Sequence, residues 1–122
     1  MMPKCILIVD DSLTIRTLIR AFLENQTRFE ICGEAVDGVD AIEKARALKP
    51  ALIVLDLMMP KMNGAEAASI LKQMMPEVPI LLFTMYDDAM VKGLSSASGV
   101  DVVLSKPDGM GQMVQHVQRL LA

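Results

Sequence analysis

Leu52-Ile53-Val54-Leu55 is an unbroken apolar run that ends in a carboxylate, Asp56. Met58-Met59-Pro60 and the turn pair Asn63-Gly64 come after it. A short apolar run bounded by turn residues reads as a strand buried on both faces, the habit of a parallel sheet. Such a strand needs a covering layer on each side. The carboxylate at its carboxyl end also needs a reason, because ligand sites of open α/β sheets lie there. Taken alone, Asp56 is either a satisfied strand-end carboxylate or the centre of a site.

Similar runs flank it. Cys5-Ile6-Leu7-Ile8-Val9 ends at Asp10-Asp11, and Ser12 is a good N-cap for a helix carrying Ile15, Leu18, Ile19, Phe22 and Leu23 at helical spacing. Arg16, Arg20 and Glu24 fall on its other side. Phe29 to Ala35 alternates weakly, which suits a sheet edge. Asp37-Gly38 turns into a helix burying Ala41, Ile42, Ala45 and Leu48, stopped by Pro50. After the central strand a helix begins near Gly64, with Ala67, Ile70, Leu71, Met74 and Met75 on one face. Pro76 and Pro79 bracket a loop, and Ile80-Leu81-Leu82-Phe83 ends at Thr84. Asp87 or Asp88 caps a helix running to about Ser98, and Val100 to Leu104 is a last strand ending in Ser105-Lys106-Pro107. Asp108 caps a final helix burying Met110, Met113, Val114, Val117 and Leu121. Strand then helix, five times over, predicts a parallel α/β sheet with helices on both faces.

Composition sets bounds. The 122 residues fit one domain spanning 1–122, and the 52% hydrophobic fraction supports a core. No apolar run reaches the roughly 18 to 20 residues of a membrane span. Met1-Met2-Pro3-Lys4 leads straight into a strand and lacks the features of a signal peptide. The net charge of −3 argues against broad nucleic-acid binding by this domain itself. Cys5 and Cys32 sit in strand patterns and read as reduced core residues of a cytoplasmic protein. One His and two Cys do not build a usual zinc site, and His116 beside Val117 reads as solvated.

The carboxyl ends of a parallel sheet share one edge, so Asp10, Asp11, Asp56, Thr84 and Lys106 converge. Three close carboxylates repel one another unless a cation sits among them. Hard oxygen ligands suit Mg²⁺. One carboxylate can act as a nucleophile toward a phosphoryl group, and Mg²⁺, Lys106 and the Thr84 hydroxyl can stabilise the resulting charge. Each residue has a plainer reading: an N-cap for Asp10-Asp11, a satisfied hydroxyl for Thr84, a solvated surface lysine for Lys106, a strand end for Pro107. Their joint placement at successive strand ends favours a site.

These residues resemble the receiver domain of two-component response regulators. The likeness covers essentially the whole chain: Asp-Asp after strand one, Asp-x-x-Met-Pro-x-x-x-Gly around Asp56, Thr84 after strand four, and Lys106-Pro107 after strand five. It implies a flavodoxin-like, doubly wound (βα)5 fold with strand order 2-1-3-4-5. It implies Asp56 as phosphoacceptor, with Asp11, Asp56 and the Met58 backbone carbonyl as Mg²⁺ ligands and Asp10 behind them. Thr84 and Lys106 would contact the phosphoryl group, and the Lys106–Pro107 bond would be cis. A histidine kinase is the implied donor. The implied output face comprises the fourth helix, fifth strand and fifth helix and can support a homodimer. The run from Gly33 to Leu57 is most similar to receivers attached to helix-turn-helix domains. DNA would therefore be reached only through an output domain, and no membrane is involved.

Three departures from the family pattern matter. Val103 stands where an aromatic switch residue is common. Met85 follows Thr84 where a small residue is usual. Met58 and Tyr86 occupy the two variable positions flanking the site. Met58, Met85 and Tyr86 together predict an apolar rim that hinders the hydrolytic water, although methionine also fills core edges readily. One glycine and three serines make the 88–98 helix weak and a candidate moving part. Three rival readings compete. A Mg²⁺-dependent phosphatase resembling the haloacid dehalogenases would need a second Asp where Met58 stands. A flavodoxin-like flavin protein would need a phosphate loop where Asp10-Asp11 would repel phosphate. A receiver-like interaction module without phosphorylation would not need the acidic set.

Overall fold

Alternate residues of the central strands point into opposite layers, and two helical layers result. The computed structural model describes residues 4–84 and 99–122, and for 105–109 only their place in a strand or helix. Its elements are β1 (Cys5–Val9), α1 (Leu13–Gln26), β2 (Glu30–Ala35), α2 (Gly38–Leu48), β3 (Leu52–Leu55), α3 (Gly64–Met74), β4 (Ile80–Thr84), β5 (Val102–Ser105) and α4 (Lys106–Leu120). The five strands are parallel and ordered 2-1-3-4-5, which places β2 at an edge as its weak alternation predicts. The helix expected over 88–98 lies outside the described residues.

Leu7, Val9, Ile53, Leu55, Ile80 and Leu82 face one layer, where Ala41 and Ala45 of α2 and Ala67, Ala68 and Leu71 of α3 cover them. Small side chains there let both helices lie close to the sheet. Ile6, Ile8, Leu52, Val54, Leu81 and Phe83 face the other layer, filled by Ile19 and Leu23 of α1 and by Met113 and Val117 of α4 with Leu121 just beyond it. The α1 stripe is narrower than its sequence pattern predicts. Ile19 and Leu23 are buried, whereas Leu18 lies off their i, i+4 row and is 52% exposed. Leu48, at the last turn of α2, is likewise exposed.

Two boundaries shift. β5 starts at Val102, two residues later than expected. α4 starts at Lys106 directly from the strand, not after an Asp108 cap. Pro107 is compatible with this, since a proline in the first helical turn removes an amide that lacks a partner anyway.

The cysteine expectation is corrected. Cys5 and Cys32 form a disulfide across β1 and β2, with Cα atoms 5.3 Å apart. The register explains the meeting. Ile6 pairs with Ile31 but Leu7 pairs with Gly33, so Cys32 is the extra residue of a bulge in the edge strand. The pattern of each strand alone gives no access to that pairing.

Candidate functional site

Asp10 and Asp56 each lie one residue beyond a strand, yet both continue the sheet ladder. The Asp56 amide donates to the Val9 carbonyl at 3.0 Å, and the Asp10 amide donates to the Ala35 carbonyl at 3.0 Å. These bonds set the lateral offset of two neighbouring carboxylates. The Asp10 side chain turns back to accept from the Ser12 amide at 2.9 Å, while Ser12 caps α1 by accepting from the Ile15 amide. Asp10 and Asp56 are buried and Asp11 is exposed.

The loop from β3 to α3 is closed tightly behind Asp56. The Gly64 amide donates to the Leu57 carbonyl at 2.7 Å. Asn63 caps α3 by accepting from the Glu66 amide, and its own side-chain amide donates to the Glu66 carboxylate, a reciprocal cap. Glycine is required at 64, because an added methyl group would overlap the Asp56 carbonyl oxygen and come within 2.8 Å of the Leu57 Cα. On the α2 side, Met62 fills the space a side chain at Gly38 would occupy, and the Lys61 ammonium lies 3.7 Å from the Asp37 carboxylate. The glycine of the Asp-x-x-Met-Pro-x-x-x-Gly pattern therefore has a packing cause.

The result is one cluster. Carboxylate oxygens of Asp10, Asp11 and Asp56 lie within 4.8 Å of one another. Three hard, anionic oxygen donors this close together fit Mg²⁺, and no soft ligand is among them. Thr84 is buried at the end of β4, next to β3, and its backbone pairs with Ser105. Lys106 is the next residue after Ser105 and the first of α4. Its side chain, the Lys106–Pro107 bond expected to be cis, and the rim residues Met85 and Tyr86 all lie outside the described residues. Met58 is 55% exposed in the loop after Asp56. Val103 is partly buried and packs against the layer of α2 and α3.

Arg16 and Glu34 were not foreseen. Sequence pattern assigns Arg16 to the solvated side of α1, yet its side chain is only 12% exposed. Arg16 Nε donates to Glu34 Oε1 at 2.8 Å, and Nη1 donates to the Asp10 carbonyl at 2.7 Å. Arg20 Nε donates to the second Glu34 oxygen at 2.7 Å. Burial alone would push the Glu34 carboxyl up, but the hydrogen bonds from Arg20 and Arg16 outweigh it and hold the group below its ordinary range. The Glu34 bond raises the Arg20 guanidinium in turn. The sequence holds only a faint trace of this: two arginines four residues apart on α1, and an acid one residue before the end of β2.

The family model for the response regulator receiver domain matches residues 6–118. The response regulator protein VraR of Staphylococcus saprophyticus is 35% identical over 120 residues, covering 97% of this chain and 56% of that protein. VraR of Staphylococcus aureus is 34% identical, over 93% of this chain and 54% of that protein. The chain thus spans about half the length of these relatives. Among solved structures, a LuxR-family two-component response regulator from an Aurantimonas species superposes with a TM-score of 0.91 at 26% identity, covering 98% of this chain and 86% of that one. Chemotaxis protein CheY4 of Vibrio cholerae gives 0.88 at 28% identity, covering 98% and 99%. Strand order, strand-end carboxylates and sequence likeness agree, and the chain belongs to the response regulator receiver domain family.

Proposed function

We propose that residues 1–122 form a single receiver domain that acts as a phosphoacceptor switch, with Asp56 taking a phosphoryl group from a histidine kinase. The observation that carries this reading is the clustering of the Asp10, Asp11 and Asp56 carboxylate oxygens within 4.8 Å at the carboxyl edge of a parallel sheet. A carboxylate oxygen of Asp56 attacks phosphorus as the bond to the donor breaks, leaving an acyl phosphate on β3. Asp11, Asp56 and the Met58 carbonyl would hold Mg²⁺, with Asp10 behind them. Bound there, the ion supplies positive charge to the transferring phosphoryl oxygens. Thr84 and Lys106 contact those oxygens from β4 and from the start of α4. Burial of Asp56 limits competing water, and its backbone bond to β1 keeps the nucleophile in place.

Phosphorylation then shifts an existing equilibrium between two conformations. The face formed by 88–98, β5 and α4 carries the change to an output domain or a second copy. Transcription is the output we favour, since the curated relatives are response regulators nearly twice the matched length. The protein works in the cytoplasm as a switch, not as a turnover enzyme on an external substrate. No helix among the described residues is long and apolar enough to cross a membrane.

The test is intact-protein mass after incubation with acetyl phosphate and Mg²⁺. A phosphoryl-sized gain is expected in the wild type and is lost in Asp56→Asn and with EDTA. If neither the wild type nor Met85→Ala gains mass, the chain is a receiver-like interaction module instead.

A further inference from the structure

The Arg16 side chain reaches two acceptors on different elements, and one of them belongs to the acidic cluster. Its guanidinium joins the Glu34 carboxylate on β2 to the backbone carbonyl of Asp10. Among the described residues, Asp10 is therefore held at three points. Ala35 accepts from its amide, Arg16 donates to its carbonyl, and the Ser12 amide donates to its carboxylate. Two of these holds originate in the last two residues of β2. The Lys44 ammonium donates to the Glu34 carbonyl and so ties that strand end to α2.

Charge balance gives the arrangement a second consequence. Arg16 and Arg20 occupy both oxygens of Glu34, and Arg20 also meets Glu24 at 3.2 Å. Two cations and two anions form a neutral group beside a pocket of three carboxylates. A guanidinium there without an anionic partner would be drawn toward Asp10, Asp11 and Asp56, where it would compete with a metal ion. Glu34 gives it another partner.

We propose that Arg16 and Glu34 are a positioning pair for the cation site: Glu34 fixes the Arg16 guanidinium on the Asp10 carbonyl, which orients the Asp10–Asp11 segment and keeps the guanidinium out of the carboxylate pocket. Arginine suits this task because its planar fork presents donors to two acceptors in separate directions, and a lysine ammonium does not reproduce that geometry. The pair touches neither the cation nor the phosphoryl group and acts through Asp10. This inference rests on the reading of Asp10, Asp11 and Asp56 as a Mg²⁺ site.

The experiment is calorimetric titration of Mg²⁺ into the full chain, for wild type, Arg16→Lys, Arg16→Met, Glu34→Gln and the Arg16→Met/Glu34→Gln double variant. Thermal unfolding in EDTA checks each fold. Arg16→Met and Arg16→Lys are expected to weaken Mg²⁺ binding by about tenfold, the low end for loss of a group that orients a metal site. Glu34→Gln is expected to weaken it further, because the freed guanidinium enters the pocket. Adding Arg16→Met to Glu34→Gln should then recover affinity to the level of Arg16→Met alone. Recovery on a second substitution is a signature that loss of packing does not produce. Wild type that binds Mg²⁺ alongside variants within twofold of it would overturn the positioning role alone. Wild type that binds no Mg²⁺ would overturn both this inference and the metal-site reading. Should Arg16→Met fail to fold, Glu34→Gln decides, since it keeps the shape of the side chain and removes only its charge.

Discussion

The α-carbon of Gly64, at the start of α3, lies directly against the backbone carbonyl of Asp56, and its amide closes the intervening loop onto Leu57. The candidate nucleophile and the first residue of the next helix therefore cannot move independently. A Gly64→Ala chain must displace backbone, not a pliant side-chain tip. We expect a loss of about 2 kcal/mol or more in urea unfolding, in the range of overpacking a tight site. Phosphoryl uptake from acetyl phosphate should fall with it. A variant within about 0.5 kcal/mol of wild type would show that the loop tolerates the added methyl group.

The Glu34 carboxyl lies below its ordinary value in the folded chain, because the Arg20 and Arg16 hydrogen bonds outweigh burial. Linkage sets the sign. The folded state binds this proton less readily than the unfolded state, so the stabilisation is fully present above the unfolded value near 4.5 and disappears as pH falls through the lower folded value. Wild type should exceed Glu34→Gln in unfolding midpoint at pH 7, and the gap should narrow below about pH 4.5. A gap that stays constant between pH 7 and pH 3 would show that the carboxylate charge contributes nothing.

The strand-end residues were legible because a parallel sheet leaves them no choice of edge. Five apolar runs, each taken with the residue at its carboxyl end, were enough to bring Asp10, Asp11, Asp56 and Thr84 to one side. The two-layer core was legible for a related reason, since the unbroken apolar runs of β1, β3 and β4 need a covering layer on each face. Arg16 and Glu34 escaped because their meeting depends on how α1 packs beside an edge strand 14 to 18 residues away in sequence, which no local pattern encodes. Leu18 was misassigned because helical spacing alone does not give the width of the buried stripe. The cysteine pair was missed because a single bulge sets which β2 residue faces Cys5.

That pair carries its own prediction. Closing a loop between residues 27 apart in sequence stabilises by about 3.5 kcal/mol in the chain-entropy description. Disulfides persist in oxidising compartments and are reduced in a cytosol, so both forms of the protein can be prepared and compared. A thiol reductant should lower the unfolding free energy of wild type by about 2 to 4 kcal/mol and leave a Cys5→Ala/Cys32→Ala variant unaffected. Two thiols titrating at once in the native, unreduced protein would show that the link is not made.

The lifetime of the acyl phosphate gives the last prediction. Met58, two residues after Asp56, is 55% exposed. Met85 and Tyr86 come after Thr84 in sequence at the end of β4. Hydrolysis requires a water molecule in line with the Asp56–phosphorus bond, and an apolar side chain at the entrance offers that water no hydrogen-bond partner. A polar Met58→Asn substitution supplies one, and Tyr86→Ala removes the large side chain at the second expected rim position. The double variant is expected to lose its phosphoryl group about tenfold faster than wild type, a difference of about 1.4 kcal/mol in barrier. The check is the decay of the phosphoryl-sized mass after the donor is removed, with Mg²⁺ held constant. Equal decay rates would mean that Met58 and Tyr86 do not control access of water to the phosphoryl group.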